Sequence, residues 1–538
     1  MSGSFIELLV GPSLTRLVLF PVIVAILIAC LPSGRRQWIR VTALVAGLIE
    51  LALALQLAVA GSSKGVFGVV RDQAAGGGPL EWIPRFGIGY DLRMDGLSMP
   101  LVVLTAFLLP VVVLASWRGV ERHWKGYAGA MMLLTTGIQG ALLAHDLFLF
   151  YVFWEVMLVP MYLIIGIWGA ERRIYAAVKF FMFTMAGSLF MLLGIVWLAA
   201  RHAELAGRWS FAYADLLRVD LPLDQQLWLF GVFALAFAIK VPLFPFHTWL
   251  PDAHVQAPTG GSVILAGVLL KLGTYGLLRF ALPLFPHAAV ETQPVFVILA
   301  VVGILYGALV AWRQVDMKSL VAYSSVAHLG FVVLGLVAFD LVAWQGALMQ
   351  MVNHGLATGA LFLLVGMLYE RRHTKLFDDF GGLAKVMPWF AFFLVFSCLA
   401  SVGLPGLNGF VGEFLILAGS FRAGLVLAAA LGAFGVILAA VYLFKLLHET
   451  LWGPITSDEN RELSDLSLRE IVTLAPIALL MLALGVAPQI FLKPVQPALE
   501  AAHSAFVSRV GKEPPVSAKI RAAADEASIA ETGPEANR

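Results

Sequence analysis

Six side chains that can hold and release a proton lie inside long apolar stretches of the sequence: Glu155, Lys240, Lys271, His328, His354 and Glu413. A charge at the centre of a bilayer costs about 2.5–3.5 kcal/mol on insertion scales. Several left unpaired in one chain would cost on the order of 10 kcal/mol together, so they persist only if they pair, face water or do work. Glu155 is set among Phe150, Tyr151, Phe153 and Trp154, and Lys240 precedes a proline. Low dielectric penalises both charged forms; a Glu–Lys pair would stabilise both, and opening it would ready the lysine to release its proton. Lys271 lies too deep in its run to snorkel. His328 follows Ser324 and Ser325, and His354 follows Asn353. Histidine relays protons in either direction near neutral pH, although a lone membrane histidine also serves as a helix–helix hydrogen bond. Together these residue types spell a proton path.

Other ionisable residues read differently. Lys179 and Lys445 fall near expected helix ends, where lysine snorkels to the interface. His247, Asp252 and His254 fall in a short connection, where they either shape a channel mouth or sit in solvent.

The elements that must position these groups are helices. Of 538 residues, 60% are hydrophobic and 13% charged, about half the charge of a soluble domain. Apolar runs long enough to span a bilayer recur near 8–30, 41–60, 98–116, 127–144, 147–168, 176–200, 227–246, 257–283, 294–312, 318–339, 342–369, 387–420, 423–447 and 470–492. The expected fold is an all-α integral membrane protein of about fourteen transmembrane helices. The first run exceeds a secretory h-region and is expected to stay as a helix. Arg35, Arg36 and Arg40, then Arg118, Arg122 and Lys125, Arg172 and Arg173, Arg313 and Lys318, and Arg371, Arg372, Lys375 and Lys385 occupy alternate connections. Basic short loops stay in the cytoplasm, so an even helix count places both termini on the periplasmic side.

Two runs are interrupted. Pro242 and Pro245 break one just after Lys240, and Gly403-Leu404-Pro405-Gly406 breaks another just before Glu413. Matching interrupted helices in two halves point to the ion site of a transporter. The halves would be 127–283 and 294–451, preceded by N-terminal helices over 1–126 and followed by a last helix with its loop over 452–493. The tail over 494–538 is polar, and the part after 512 is expected to be disordered.

Composition excludes several functions. A formal charge of +2, from 36 basic and 34 acidic residues, offers no basic excess for nucleic acid. Cys30 and Cys398 cannot supply the four thiolates of an iron–sulfur cluster or an all-cysteine zinc site. No glycine-rich nucleotide fingerprint is present. No cofactor or metal is expected in this chain, so any uphill transport must be driven from elsewhere.

The run Phe246-His247-Thr248-Trp249-Leu250-Pro251-Asp252-Ala253-His254, continuing through Ala257-Pro258-Thr259 and Ser262-Val263-Ile264-Leu265-Ala266-Gly267 to Lys271, resembles the antiporter-like subunits of proton-pumping NADH:quinone oxidoreductase, respiratory complex I. Phe153-Trp154-Glu155 with Pro160-Met161-Tyr162, and Gly403-Leu404-Pro405-Gly406-Leu407-Asn408-Gly409-Phe410-Val411-Gly412-Glu413, carry the same likeness. Within the family the chain is most similar to the subunit M, or chain 4, branch. The largest member carries a long amphipathic arm, for which this tail is too short and too polar. The resemblance implies two inverted five-helix repeats, each with a half-channel. It also implies a Glu155–Lys240 pair, a central Lys271, connecting histidines at His328 and His354, and a terminal acid at Glu413. Its expected setting is the bacterial inner membrane, beside other membrane-arm subunits that include neighbouring antiporter-like ones. Flavin, iron–sulfur clusters and quinone are expected in partner subunits. A subunit of a multi-chain cation/proton antiporter shares the fold and the Glu–Lys pair. A mere structural spacer would leave the buried charges unexplained.

Overall fold

A computed structural model describes residues 13–63, 66–72, 80–455 and 457–511. The start of the first apolar run and the tail beyond 511 lie outside the described residues. Helices dominate. They are α1 (Leu14–Cys30), α2 (Arg36–Ala60), α3 (Met99–Gly119), α4 (Trp124–Leu143), α5 (Leu147–Trp168), α6 (Arg173–Ala206), α7 (Leu223–Lys240), α8 (Trp249–Gln256) and α9 (Thr259–Leu284). After them come α10 (Gln293–Trp312), α11 (Met317–Val337), α12 (Leu341–Arg372), α13 (Pro388–Val402), α14 (Asn408–Arg422), α15 (Val426–Leu451), α16 (Leu468–Val486) and α17 (Gln489–Val510). Eleven helices among the described residues are long and apolar enough to cross a membrane; α1 and α13 are apolar but shorter.

Aspartate starts three of the spans. Asp146, Asp316 and Asp340 each accept hydrogen bonds from backbone N–H groups in the first turn of α5, α11 and α12, satisfying donors that a helix start otherwise leaves unpaired. Ser467 and Glu470 form a reciprocal capping box on α16,. The bundle centre is made of α9, α11 and α12, whose apolar stretches are buried almost completely, whereas α2, α6, α10, α15 and α16 keep an outward face. That face carries large exposed side chains such as Leu48, Leu193, Ile298, Leu427 and Leu479, as expected of a surface covered by lipid.

The two interruptions take different forms. After α13 the chain turns through Gly403 at φ +86 and Gly406 at φ +94, a left-handed region that only glycine enters freely. The single run expected over 387–420 is thus the pair α13 and α14. After Lys240 the chain passes through turns to α8, which packs on α6 and α11. The stretch read as a short connection therefore contains an eight-residue helix. His247 and His254 are buried there, not solvated, and Asp252 is partly covered.

Connections at one end of the bundle touch one another. Arg371 donates to both carboxylate oxygens of Glu470 at 2.8 Å, Arg372 to Asn460 at 2.8 Å, Lys375 to the carbonyl of Val255 at 3.1 Å and Lys318 to that of Ala257 at 2.6 Å. At the opposite end β1 (Leu80–Ile83) pairs antiparallel with β2 (Ile88–Tyr90). Asp95 pairs there with Arg279, and Tyr213 donates to the carbonyl of Arg279 at 2.7 Å. Residues 494–510 continue the helix α17, which lies across this second end. His503 bonds the carbonyl of Phe339 at 3.0 Å, Arg509 donates to that of Pro283, and Phe506 packs on Phe339 and Trp344. Leu14 and Thr15 donate to Asp72, in the same connection whose Val66–Phe67 segment packs on α17, so both ends of the described chain lie at this end of the bundle.

Candidate functional site

Lys271 is fully buried on α9, one residue beyond a π-helical turn over Leu265–Leu269. A helical side chain leans towards the N-terminus of its own helix, and Lys271 does so, donating to the carbonyl of Ala266. Its Nζ also lies 2.6 Å from Nδ1 of His354 on α12. Among the described residues no acid is paired with it. Gly273 allows the close packing beneath: a Cβ there would stand 2.7 Å from the carbonyl oxygen of Phe237, so α9 rests directly on the helix that ends in Lys240.

From His354 the buried polar groups continue. The rings of His354 and His328 are 5.8 Å apart between centroids. His328 Nδ1 is 2.9 Å from Glu413 Oε1, and its Nε2 meets the hydroxyls of Tyr442 at 3.0 Å and Ser401 at 3.2 Å. Gln350 donates to the same oxygen of Glu413 at 3.0 Å, and Asn353 to Gln350 at 3.2 Å and to the carbonyl of Asn408 at 2.7 Å. Gln350, Asn353 and His354 stand at positions i, i+3 and i+4 of α12, which share one face of a helix. Four of the six residues singled out in the sequence, Lys271, His354, His328 and Glu413, thus line up as two bonded pairs with the two histidine rings facing each other between them. The line crosses α9, α12, α11 and α14.

Lys240 and Glu155 are arranged otherwise. Lys240 is buried without a hydrogen-bond partner among the described residues, its Nζ 5.1 Å from the ring of Trp154 and 5.7 Å from that of Phe180. Those rings offer it cation–π attraction. Glu155 is only half-buried, beside Tyr151 and Ser188, and lies within the electrostatic reach of Lys240. The expected pair is open, with no direct ion-pair contact.

Lys179 forms an ion pair with Asp252 at 2.7 Å. Lys445 donates to the carbonyls of Trp312 at 2.9 Å and Gln314 at 2.7 Å, covering the C-terminal end of α10, where a cation is favoured. His254 is buried with both ring nitrogens unpartnered among the described residues and stacks on Phe362 at 4.5 Å. Burial, then the charges of Lys318 and Lys271, hold its imidazole well below the ordinary histidine pKa. Lys318 itself was read from the sequence as a loop charge, yet it is buried at the start of α11. Tyr442, Gln350 and Ser401 were not singled out; only the i, i+4 spacing of Gln350 to His354 carries a sequence signal. Glu50, on α2, is also completely buried with neither carboxylate oxygen partnered among the described residues. The described residues hold no cluster of three His, Cys, Asp or Glu side chains suited to a metal ion.

Lys271 and His354 can exchange one proton without moving: an ammonium N–H donates to Nδ1, or a protonated Nδ1 donates to a neutral amine. The Glu413–His328 contact has the same two-state character. These short contacts make a relay chemically feasible across the bundle.

The chain matches a family model described as the transmembrane part of NADH:quinone oxidoreductase/Mrp antiporter over residues 144–439, and one for the amino terminus of NADH-ubiquinone oxidoreductase chain 4 over 83–145. It is 43% identical over 476 residues to NADH-quinone oxidoreductase subunit M of Escherichia coli K12, covering 87% of this chain and 91% of that one. Among solved structures it is similar to a chain of respiratory complex I from Thermus thermophilus, with TM-score 0.82, 33% identity, and 92% and 99% of the two chains covered. A chain of the Mrp complex from a Dietzia species, at TM-score 0.75 and 21% identity over 93% and 98% of the two chains, shares the fold.

Proposed function

The chain belongs to the NADH-quinone oxidoreductase subunit M family, and from that premise we propose that it is a proton-translocating membrane subunit of a respiratory NADH:quinone oxidoreductase. The observation that carries the mechanism is the 2.6 Å contact of Lys271 with His354, deep in the bundle and in line with the His328–Glu413 pair. Redox chemistry belongs to partner subunits holding flavin, iron–sulfur clusters and quinone; this chain contributes the path.

A cytoplasmic proton reaches Lys271 past Lys318 and His254. It passes to His354 and His328 and leaves by Glu413. Water must carry it between the two histidine rings, which are too far apart for a direct bond. Lys240, in its aromatic box, senses the state of Glu155 across the open pair, and closing that pair holds its proton while opening frees it. The chain crosses the membrane fourteen times: α1, α4 and the broken pair α13–α14 join the eleven long helices. The two half-channels belong to inverted repeats over 127–283 and 294–451. The termini are periplasmic, a reading supported by the basic connections gathering at the end opposite α17. The antiporter alternative is weaker, because the solved complex I chain is 33% identical to this one and the Mrp chain 21%.

Purification in mild detergent tests the assignment. NADH-oxidising partners with flavin and iron–sulfur spectra should accompany the chain. Isolation with other antiporter subunits and no redox partner would refute it.

A further inference from the structure

We propose that a groove on the outer face of α1, α2, α4 and α5 is a binding site for an anionic phospholipid. The groove has a volume of about 1100 Å³, and its lining includes the exposed Ile26, Leu133, Val156, Val159 and Leu163. Its floor is apolar, with Ile39, Ala130, Pro160 and Leu163, and small residues at Ala29 and Gly129 make the room. At one end stand Arg36, Arg122 and Lys125. None of the three has a carboxylate within ion-pair distance among the described residues. Lys125 donates to the carbonyl of Leu31 at 2.9 Å, which leaves further N–H donors free. Arg40 rests against the rings of Trp117 and Trp124 beneath this rim and adds positive charge.

An apolar slot that ends in unpaired cations matches a lipid in both parts. The acyl chain fills the slot, which water cannot wet within a bilayer. The phosphate takes the guanidinium forks, whose planar geometry suits it, and basic pockets between membrane helices are recognised sites for anionic headgroups. A partner helix would need acidic residues set at that one end. The groove also reaches Val156 and Pro160, on the helix that carries Glu155, so its occupant borders the proposed open pair. The inference rests on the membrane reading of the chain and is independent of pumping.

The test uses the intact detergent-purified assembly that contains this chain. It is exposed separately to phosphatidylglycerol and phosphatidylcholine, each carrying a photoreactive acyl chain, and labelled peptides are mapped by mass spectrometry. Phosphatidylglycerol should label peptides bearing Ala29 and Gly129 at least about five-fold more than phosphatidylcholine, the order that one basic residue contributes near an anionic lipid. The triple variant Arg36→Gln/Arg122→Gln/Lys125→Gln should lose the preference. Should it fail to assemble, the exposed Arg122→Gln alone should reduce it. Gly129→Leu fills the slot, since nothing lies within 4 Å of a Cβ there, and should abolish labelling by both lipids. Equal labelling by the two lipids, an unchanged preference in the charge variants, or no labelling because a partner protein occupies the groove would each overturn the proposal. These outcomes are read on this chain itself, so they stand whatever partners it is found with.

Discussion

Lys240 has aromatic rings around it and no acid in contact, so Glu155 acts on it only at a distance. Lys240→Ala should cripple pumping while the chain still assembles, because the group that answers to Glu155 across the open pair is gone. Glu155→Asp should keep part of the activity, because the charge is retained and the pair is already open. NADH-driven acidification of inverted membrane vesicles, with assembly checked on native gels, measures both. The charged residues of this site were legible because each stands alone in an apolar run, where no other explanation is cheap. Lys318 was not: it follows Asp316 at a helix start and looks like one more basic loop residue, and only tertiary packing buries it. Tyr442 and Gln350 were hidden for a related reason, since neutral polar residues cost little in a membrane helix and leave no mark in composition.

The helices stand near where apolar runs put them, and the glycine–proline break before Glu413 was legible from local chemistry alone. The helix α8 was not, because a segment of eight residues, Trp249–Gln256, has little intrinsic tendency to order without neighbours. Helix α17 contains Pro494 and Pro497, which argue against a helix locally; packing on Gly96, Phe339 and Trp344 outweighs them. Two element-level predictions follow from contacts. Gly273→Leu must push α9 off α7, and overpacking of that kind costs about 1–3 kcal/mol or more, so the assembled subunit should melt earlier and Lys271 should lose its register with His354. Asp95, in the connection before α3, is the second case. Burial would raise its carboxyl, but the Arg279 charge outweighs this and holds it at about 2. A carboxyl held below its ordinary value near 3.9 stabilises the fold at any pH above that value, and the benefit fades as pH falls towards 2. Asp95→Asn should therefore lower stability by roughly 3–5 kcal/mol at neutral pH and flatten the acid side of a melting-point-against-pH curve.

At the scale of the whole molecule, two separate sets of connections form the two ends of the bundle, one basic and one covered by α17. This arrangement makes the orientation testable. In a Cys30→Ser background, a cysteine at exposed Ser504 should react with an impermeant thiol reagent from the periplasmic side, and one at exposed Glu462 only after the inner membrane is opened. The reverse pattern would invert the proposed path. The central claim is that a proton passes through Lys271 itself. Arginine keeps its proton in proteins, so Lys271→Arg retains the charge and removes the transfer. The decisive measurement is the ratio of protons moved to NADH oxidised in vesicles carrying fully assembled Lys271→Arg. The relay predicts a clear fall in that ratio with the charge preserved. A ratio equal to the parent's would make Lys271 a fixed charge and contradict the path through His354, His328 and Glu413.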